Sequence, residues 1–445
     1  MSPELVKRYS APVPRYASYP TAPHFSAAVG RDTYAAWLAE LPAAGRLSLY
    51  MHIPFCESLC WYCGCCTKAV QRYEPVADYL SALHAEIRAI GHRISTDHQV
   101  THIHWGGGSP NILSAADIAA LADAQRREFR VEEGAEFAVE IDPRGLDDER
   151  IAAFARGGVT RVSVGVQDFN DKVQAAINRR QTFEETQRAV VAFRSYGIDA
   201  INIDLVYGLP HQTRDSVERT ALKVLELQPN RVAVFGYAHL PSRLKHQALI
   251  DAGALPGVIE RFAQANRFGR ILIAAGYMRV GLDHYALPGD PLASKKVARN
   301  FQGYTTDHAD ALIGLGASAI GRLPQGYVQN HASTAEYARR ISETGLATSR
   351  GITLTDGDRM RGFVIERLMC DFAFPERELR LRYGSQSEEI LREAQALLQA
   401  DQDRLIERDG ETFRVTDRGR PFVRTIAACF DAYFDTSTAV HAPGV

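Results

Sequence analysis

The sequence predicts an α/β protein: a parallel sheet of six strand–helix units, an N-terminal arm, and a mostly helical, winged-helix-like C-terminal domain. Three observations predict it. From Leu47 to about Ala238, strand-like apolar runs alternate with amphipathic helical stretches at a regular pitch. The glycines, cysteines and isolated polar residues gather where the strand runs end, the rim on which parallel α/β folds place their ligands. Beyond Leu354 this rhythm gives way to helical patterns and one Asp-Gly hairpin. Six units favour a barrel or partial barrel over an open sheet, although periodicity alone is compatible with either.

Residues 1–45 form a Pro- and Tyr-rich lead-in that includes Pro14-Arg15-Tyr16-Ala17-Ser18-Tyr19-Pro20. Free tails are poor in aromatics, so this segment reads as an extended arm laid over the body of the protein. The strands are Ser48–Ile53, His102–Trp105, Phe137–Ile141, Arg161–Val166, Ala200–Val206 and Arg231–Tyr237. Between them the helical period places Pro75–Ile94, Ala115–Phe129, Asp147–Arg156, Phe183–Tyr196 and Arg214–Leu227. After Ala238 a helix is expected over Val258–Ala275, and Asp283-His284-Tyr285 and the stretch from Asn300 to Thr306 read as functional loops. The run from Leu312 to Ile320 reads as a Gly-rich turn beside apolar residues. Leu405–Val415 reads as strand, Asp-Gly turn, strand. The expected organisation is an arm over 1–45, a catalytic barrel with its extension over 46–345, a helical domain over 346–435 and a frayed tail over 436–445.

The 445 residues are 46% hydrophobic and 23% charged, an ordinary globular composition with length for a large core. A net charge of −2 argues against a polyanion binder, so no nucleic-acid partner is expected. An anionic substrate would have to be met by local arginines, of which Arg8, Arg15, Arg161, Arg179, Arg243 and Arg299 are candidates and Arg179 is preferred. No membrane span is predicted and no signal peptide is expected, and the cysteine clustering fits a reducing, cytoplasmic setting.

Five of the seven cysteines, Cys56, Cys60, Cys63, Cys65 and Cys66, fall in one short loop after the first strand. The first three are spaced C-x3-C-x2-C. A disulfide reading fails because Cys65 and Cys66 are adjacent and such short loops stabilise little. Structural zinc usually takes two separated ligand pairs, and here there is no distant pair. Buried thiols that merely pack have no reason to cluster. The spacing favours an iron–sulfur cluster, and a cubane held by three thiolates leaves one iron open to a small ligand.

Gly106-Gly107-Gly108-Ser109-Pro110 follows the second strand. Consecutive glycines let a backbone approach a ligand closely, although a run of this kind is equally a tight turn when it stands alone. Glu140, Gln167, Arg179 and Asp204 are polar residues in or beside apolar runs. Singly, each reads as a solvated strand end or a paired buried group; together on one rim they could bind an amino-acid carboxylate, an amine and ribose hydroxyls. Tyr50 and Tyr62 flank the cysteines, where aromatics pack by default and could also cover an adenine.

The motif Tyr50-x-His52-Ile-Pro-Phe-Cys56-x3-Cys60-x-Tyr62-Cys63 resembles the cluster loop of radical S-adenosylmethionine (radical SAM) enzymes, and Gly106–Pro110 resembles their methionine-binding glycine loop. Finer features resemble the oxygen-independent coproporphyrinogen III oxidase (dehydrogenase) family. They are Cys63-Gly64-Cys65, the arm over 14–20, Tyr207-Gly-Leu-Pro-His-Gln212, Phe235-Gly-Tyr-Ala-His-Leu-Pro241 and Asn300-Phe-Gln-Gly-Tyr-Thr-Thr306. The resemblance runs from Arg8 to about Tyr433 and implies a partial (β/α)6 radical-SAM barrel. It further implies a 4Fe-4S cluster on Cys56, Cys60 and Cys63, with two SAM molecules in one site contacted by Tyr50, Tyr62, Gly107, Gly108, Ser109, Glu140, Gln167, Arg179, Asp204, Ala238 and Ile320. Reductive cleavage of SAM would give a 5′-deoxyadenosyl radical that takes hydrogen from a propionate β-carbon. Two rounds of decarboxylation would convert coproporphyrinogen III to protoporphyrinogen IX in haem biosynthesis, without oxygen.

Gln302 would lie on the substrate side, the protein would be a monomer, and an external reductant and electron acceptor would be required. Ser109 stands where the family usually has Thr, which keeps the hydroxyl, and neither Cys65 nor Cys66 is expected to bind iron. The nearest alternative is a haem-related radical SAM relative: a haem chaperone, methyltransferase or haem-degrading enzyme. A zinc-stabilised, DNA-reading winged-helix protein is the alternative of a different class, and the near-neutral charge weighs against it.

Overall fold

The computed structural model describes residues 1–435 and 444. Six parallel strands follow the expected rhythm: β1 (Arg46–Ile53), β2 (Gln99–Gly107), β3 (Val131–Ile141), β4 (Arg161–Gln167), β5 (Ala200–Tyr207) and β6 (Arg231–Gly236). They pair in sequence order, each with the next. A seventh strand, β7 (Ala311–Leu315), pairs parallel with the other edge of β1. Antiparallel strands extend both ends, and the sheet of twelve ends on Thr348–Thr353 at one side and Met278–Val280 at the other. These end strands do not pair with each other, so the sheet forms a partial barrel.

Crossover helices α1 (Glu74–Gly91), α2 (Ala115–Glu128), α3 (Asp148–Arg156), α4 (Phe183–Ser195) and α5 (Arg214–Glu226) lie where the helical period places them. Their starts are written in side chains: Ser114 and Asp147 accept from backbone amides three residues on, and Thr182 with Glu185 forms a capping box. The helix over Val258–Ala274 follows the same pattern, without a side-chain cap.

The strands alternate in a way that ordinary parallel sheets do not. In β1, Leu49, Met51 and Ile53 are buried in the main core with Trp105 of β2, Val139 of β3, Val164 of β4 and Ile203 of β5. The intervening positions carry Tyr50, His104, Glu140, Ser163 and Asp204. Parallel strands covered on both faces read as continuous apolar runs, whereas here one face meets the helices and the other a polar interior.

The region after β6 departs from the sequence reading. The run from Leu312 is β7, followed by the strand Ile320–Leu323. Its glycine is needed inside the sheet, because a Cβ on Gly314 would come within 2.7 Å of the Ile320 backbone. The segment from Asn300 is a hairpin, Ala298–Asn300 against Gly303–Thr305, with Phe301 and Gln302 at its tip. His284, expected in a loop, begins a strand that pairs with β6.

The C-terminal part runs helix (Asp356–Asp371), strand (Ala373–Pro375), two helices (Glu376–Tyr383 and Ser387–Ala400) and hairpin (Ile406–Asp409 with Thr412–Val415). Strand Thr412–Val415 is central in the small three-stranded sheet, a winged-helix arrangement. Gly410 takes φ +60° in the predicted Asp-Gly turn.

The arm is not extended throughout. It contains helices Pro3–Arg8 and Arg31–Ala39. Leu5, Val6, Val13, Tyr16 and Tyr19 are buried in the same apolar cluster as Leu368, Phe374, Phe413 and Phe430 of the C-terminal part. Tyr34, Trp37 and Leu38 join the core of the barrel instead. Burying side chains of this size is worth ~1.5–3 kcal/mol each, which is what ties the tyrosine-rich lead-in down. The tail expected over 436–445 lies outside the described residues, Gly444 apart.

Candidate active site

The polar face of the sheet opens at the carboxyl ends of the strands into a cavity of about 810 Å³. Its walls come from every part of the chain: Arg15 of the arm, the cysteine loop after β1, the ends of β2 to β6, Asp283 to Tyr285, the tip of the 298–305 hairpin and Arg424. That volume suits a large organic ligand rather than a lone metal ion or water cluster.

Cys56, Cys60, Cys63 and Cys65 line the cavity as free thiols. The loop that carries them is held from several directions. His52 Nε2 lies 2.8 Å from the Cys66 carbonyl, His246 Nε2 2.7 Å from the Cys63 carbonyl, and Gln247 donates to the Tyr62 carbonyl at 3.1 Å. Each predicted ligand sulfur also has donors. The hydroxyl of Thr67 lies 3.3 Å from Cys56 Sγ and Ser109 Oγ lies 3.6 Å from it. Arg179 and Arg144 direct N–H groups at Cys60 Sγ at 3.5 and 3.6 Å. The Cys65 amide donates to Cys63 Sγ at 3.4 Å. Sharing a hydrogen bond with the Cys65 thiol lowers the Cys63 pKa and raises that of Cys65, so Cys63 is the thiolate of that pair. Among the described residues no three His, Cys, Asp or Glu side chains converge on a single metal ion. A cubane does not ask that of them, since each thiolate binds a different iron. The three sulfurs with their N–H and O–H donors fit such a cluster.

The glycine loop is built by exclusion. A Cβ on Gly106 would lie 2.7 Å from the Glu140 carboxyl group, and one on Gly108 2.4 Å from the Phe55 carbonyl oxygen. Gly107 takes φ +109°, and a Cβ there would reach 2.5 Å from the His52 ring. The close packing lets the Gly107 amide donate to Glu140 Oε2 at 3.1 Å, while His104 Nε2 lies 3.1 Å from Oε1. Burial works against the Glu140 charge, and His104 and the Gly107 amide hold its pKa below the usual value.

On β4 the register slips between Gly165 and Gln167, and Gln167 takes φ +67°. This bulge turns the Gln167 side chain into the cavity. Arg179 donates to the Gly165 carbonyl at 2.6 Å and to Asp142 at 3.0 Å. Burial opposes the Asp142 charge, yet Arg179 and Arg144 hold its pKa at about 2. On β5, burial and the nearby Glu140 charge push Asp204 up to about 6, against hydrogen bonds from Asn202 at 2.8 Å and Ser163 at 3.2 Å.

Of the residues expected from sequence, Cys56, Cys60, Cys63, Tyr62, Gly107, Gly108, Ser109, Glu140, Gln167, Arg179, Asp204, Ala238 and Gln302 all line the cavity. Tyr50 and Ile320, each partly exposed, are not among the residues that line it. The Tyr50 hydroxyl lies 2.9 Å from His52 Nδ1, and Ile320 packs its backbone against Gly314, the register partner of Tyr50. Of the candidate arginines, Arg8 pairs with Asp403 at the surface, Arg161 with Glu136 and Asp290, and Arg243 is exposed. Arg15, Arg179 and Arg299 reach the cavity. Sequence reasoning missed Arg144, whose signal was its place three residues beyond the carboxyl end of β3. It also missed His246, for which no local signal exists.

Residues 50–224 match the family model described as the radical SAM superfamily, and residues 354–422 match that of the HemN C-terminal domain. The chain is 46% identical over 437 residues to an oxygen-independent coproporphyrinogen III oxidase of Bradyrhizobium diazoefficiens, with 97% of each chain covered. It is 44% identical to an anaerobic coproporphyrinogen III oxidase of Cereibacter sphaeroides, over 96% of this chain and 95% of that one. Among solved structures it is similar to coproporphyrinogen III oxidase from Escherichia coli, a radical SAM enzyme: 36% identity, a TM-score of 0.91, and coverage of 97% of this chain and 99% of that chain.

Proposed function

The chain belongs to the oxygen-independent coproporphyrinogen III oxidases of the radical SAM superfamily, and from that premise we propose how its own residues serve the reaction. The family's reaction is the oxidative decarboxylation of two propionates of coproporphyrinogen III to vinyl groups, giving protoporphyrinogen IX in porphyrin biosynthesis. The family carries a 4Fe-4S cluster and SAM. Bound together, these supply one-electron radical chemistry that removes a hydrogen atom from a propionate side chain.

In this reading Cys56, Cys60 and Cys63 hold the cluster. The Gly107–Ser109 backbone and Glu140 receive the methionine end of SAM, where the Glu140 carboxylate suits an amino group. Asp204 and Gln167 meet ribose hydroxyls, and Tyr62 and Ala238 lie along the nucleoside. A second SAM shares the same cavity in this proposal, and Gln302 at its hairpin tip faces the tetrapyrrole. Arg144 and Arg179, with Asp142 between them, fix the Cys60 side of the loop. The arm and the C-terminal part wall the cavity and keep water from the radical step. No described helix is long and apolar enough to cross a membrane; we place the enzyme in the cytoplasm, as a monomer fed by a separate reductant and relieved by a separate electron acceptor.

The observation that carries the reading is one cavity that joins the C-x3-C-x2-C thiols to the glycine loop and to residues of the arm. Anaerobic incubation with coproporphyrinogen III, SAM and a reductant, followed by chromatography, tests it. Protoporphyrinogen IX is expected; its absence from protein with an intact cluster would overturn the reading.

A further inference from the structure

The chain carries a net charge of −2, yet its cavity is basic: eight arginines line it against four carboxylates, Glu140, Asp142, Asp204 and Asp283. Two of the arginines, Arg144 and Arg179, are spent on Asp142 and Cys60. A second group gathers at the other contributors to the wall. Arg15 comes from the arm and Arg299 from the 298–305 hairpin, and Arg424 of the C-terminal part lies close enough that the charges of both depress its pKa, after burial.

The acid beside them is Asp283. Burial works against its charge, and Arg299, His284 and Arg15 hold it at about 2. It is already shared: His284 Nδ1 lies 2.8 Å from Oδ1, and Arg299 Nη1 lies 3.9 Å from the same oxygen. The Arg299 side chain is 8% exposed, stacks 4.5 Å over the Tyr304 ring, and donates from Nη2 to the Arg15 carbonyl at 3.4 Å. Its Nε and Nη1 have no hydrogen-bond acceptor among the described residues. Arg15 donates from Nη2 to the Gly236 carbonyl at 2.7 Å and exposes the rest of its side chain to the cavity. A buried cation with incomplete pairing is costly until an anion arrives, and a planar guanidinium suits a carboxylate.

We propose that Arg15 and Arg299 form a carboxylate-binding subsite that anchors a propionate of the tetrapyrrole, Arg15 by direct contact and Arg299 as a positioning residue that holds Arg15 and supplies field. The inference rests on the coproporphyrinogen reading above and adds which residues grip the substrate. It has a consequence for turnover. Each round removes one carboxylate from the ligand, so fewer orientations of the dicarboxylate product than of the tetracarboxylate substrate place a propionate in the subsite.

The test uses anaerobic holoenzyme and two fluorescent oxidised porphyrins, coproporphyrin III and its tetramethyl ester, with binding read by quenching. The wild-type protein should prefer the free acid. Arg15→Gln should weaken that binding about tenfold, as expected for one charge-assisted pair. It should leave SAM affinity and the ester's affinity unchanged, and Arg15→Lys should recover part of the loss. Arg299→Lys should raise the KM for coproporphyrinogen III, increase release of the monovinyl tricarboxylate intermediate and leave the cluster spectrum unaltered. If wild type converts coproporphyrinogen III and binds the free acid while Arg15→Gln binds it within twofold of wild type, the subsite is wrong and the function stands. If wild type neither binds the acid nor converts the porphyrinogen, the function itself fails.

Discussion

The Gly107 amide donates to Glu140 Oε2 at 3.1 Å, joining the glycine loop after β2 to the end of β3. Glu140 therefore both shapes the loop and presents charge to the cavity. Glu140→Gln should keep the fold and weaken SAM binding by roughly 10- to 100-fold, the scale of one hydrogen bond to a charged group. Gly106→Ala should do the same by a different route, because its Cβ would meet the Glu140 carboxyl at 2.7 Å. Calorimetric SAM titration of the reconstituted proteins measures both; unchanged affinity in Glu140→Gln would remove the residue from the SAM site.

The five clustered cysteines separate into ligands and bystanders. Cys56→Ser, Cys60→Ser or Cys63→Ser should drop anaerobic iron and sulfide from about four of each per chain to near zero. Cys65→Ser and Cys66→Ser should retain them, although Cys65 lines the cavity and its amide touches Cys63. Loss of iron in Cys65→Ser alone among the two would show that it is a ligand.

Arg144 and Arg179 place two guanidinium N–H groups on Cys60 Sγ. Positive charge and N–H···S bonds favour the reduced, more negative cluster. Arg144→Gln should lower the cluster's reduction potential, on the order of 50 mV for about 1 kcal/mol of lost stabilisation in a one-electron couple. A redox titration followed by electron paramagnetic resonance reads the shift, and a potential equal to or above wild type contradicts it.

Asp204 carries a raised pKa of about 6, chiefly from burial. The sign follows from the proton count. Between about pH 4 and pH 6 the unfolded chain releases this proton while the folded chain keeps it, so stability falls as pH rises and stays lower above that window. Asp204→Asn, neutral at every pH, should stabilise the apoprotein by about 1–3 kcal/mol at pH 7–8 and by little near pH 4. Melting curves at the two values check this, and an equal difference at both would exclude the proton linkage.

Tyr16 is 4% exposed inside the C-terminal cluster, and its hydroxyl donates to Asp431 at 3.1 Å. Tyr16→Ala should cost about 3–5 kcal/mol by analogy with buried aromatic truncations. The loss should appear as earlier melting of the C-terminal part, with protection of amides in 356–430 reduced in hydrogen exchange. Unchanged protection there would mean that the arm is not part of that core.

Much of this was legible in the chain. β1 to β6 and their helices could be read because most strands alternate apolar and polar positions, β6 is a short apolar run, and each helix repeats its apolar face. Thr182, Ser114 and Asp147 mark their boundaries. The cysteine and glycine loops were legible because their spacing is local. What stayed hidden is non-local or lacks a period. β7 is five buried residues with no alternation, and Gly314 in it reads as a turn until the Ile320 backbone is set against it. Tyr50 and Ile320 do not line the cavity although they lie on its strands, which strand position alone does not reveal. His246 reaches the Cys63 carbonyl across 183 residues, and nothing in the flanking sequence announces it.

Tyr9, near the start of the chain, packs 5.2 Å from Phe422, near its end. The ribosome makes the first residue of that pair long before the second. At 5–20 residues per second, roughly 20–80 s separate them. During that interval the Cys56–Cys66 loop has already emerged while the wall that covers it does not yet exist. In that interval the loop's thiols are not yet covered by the C-terminal part of the cavity wall.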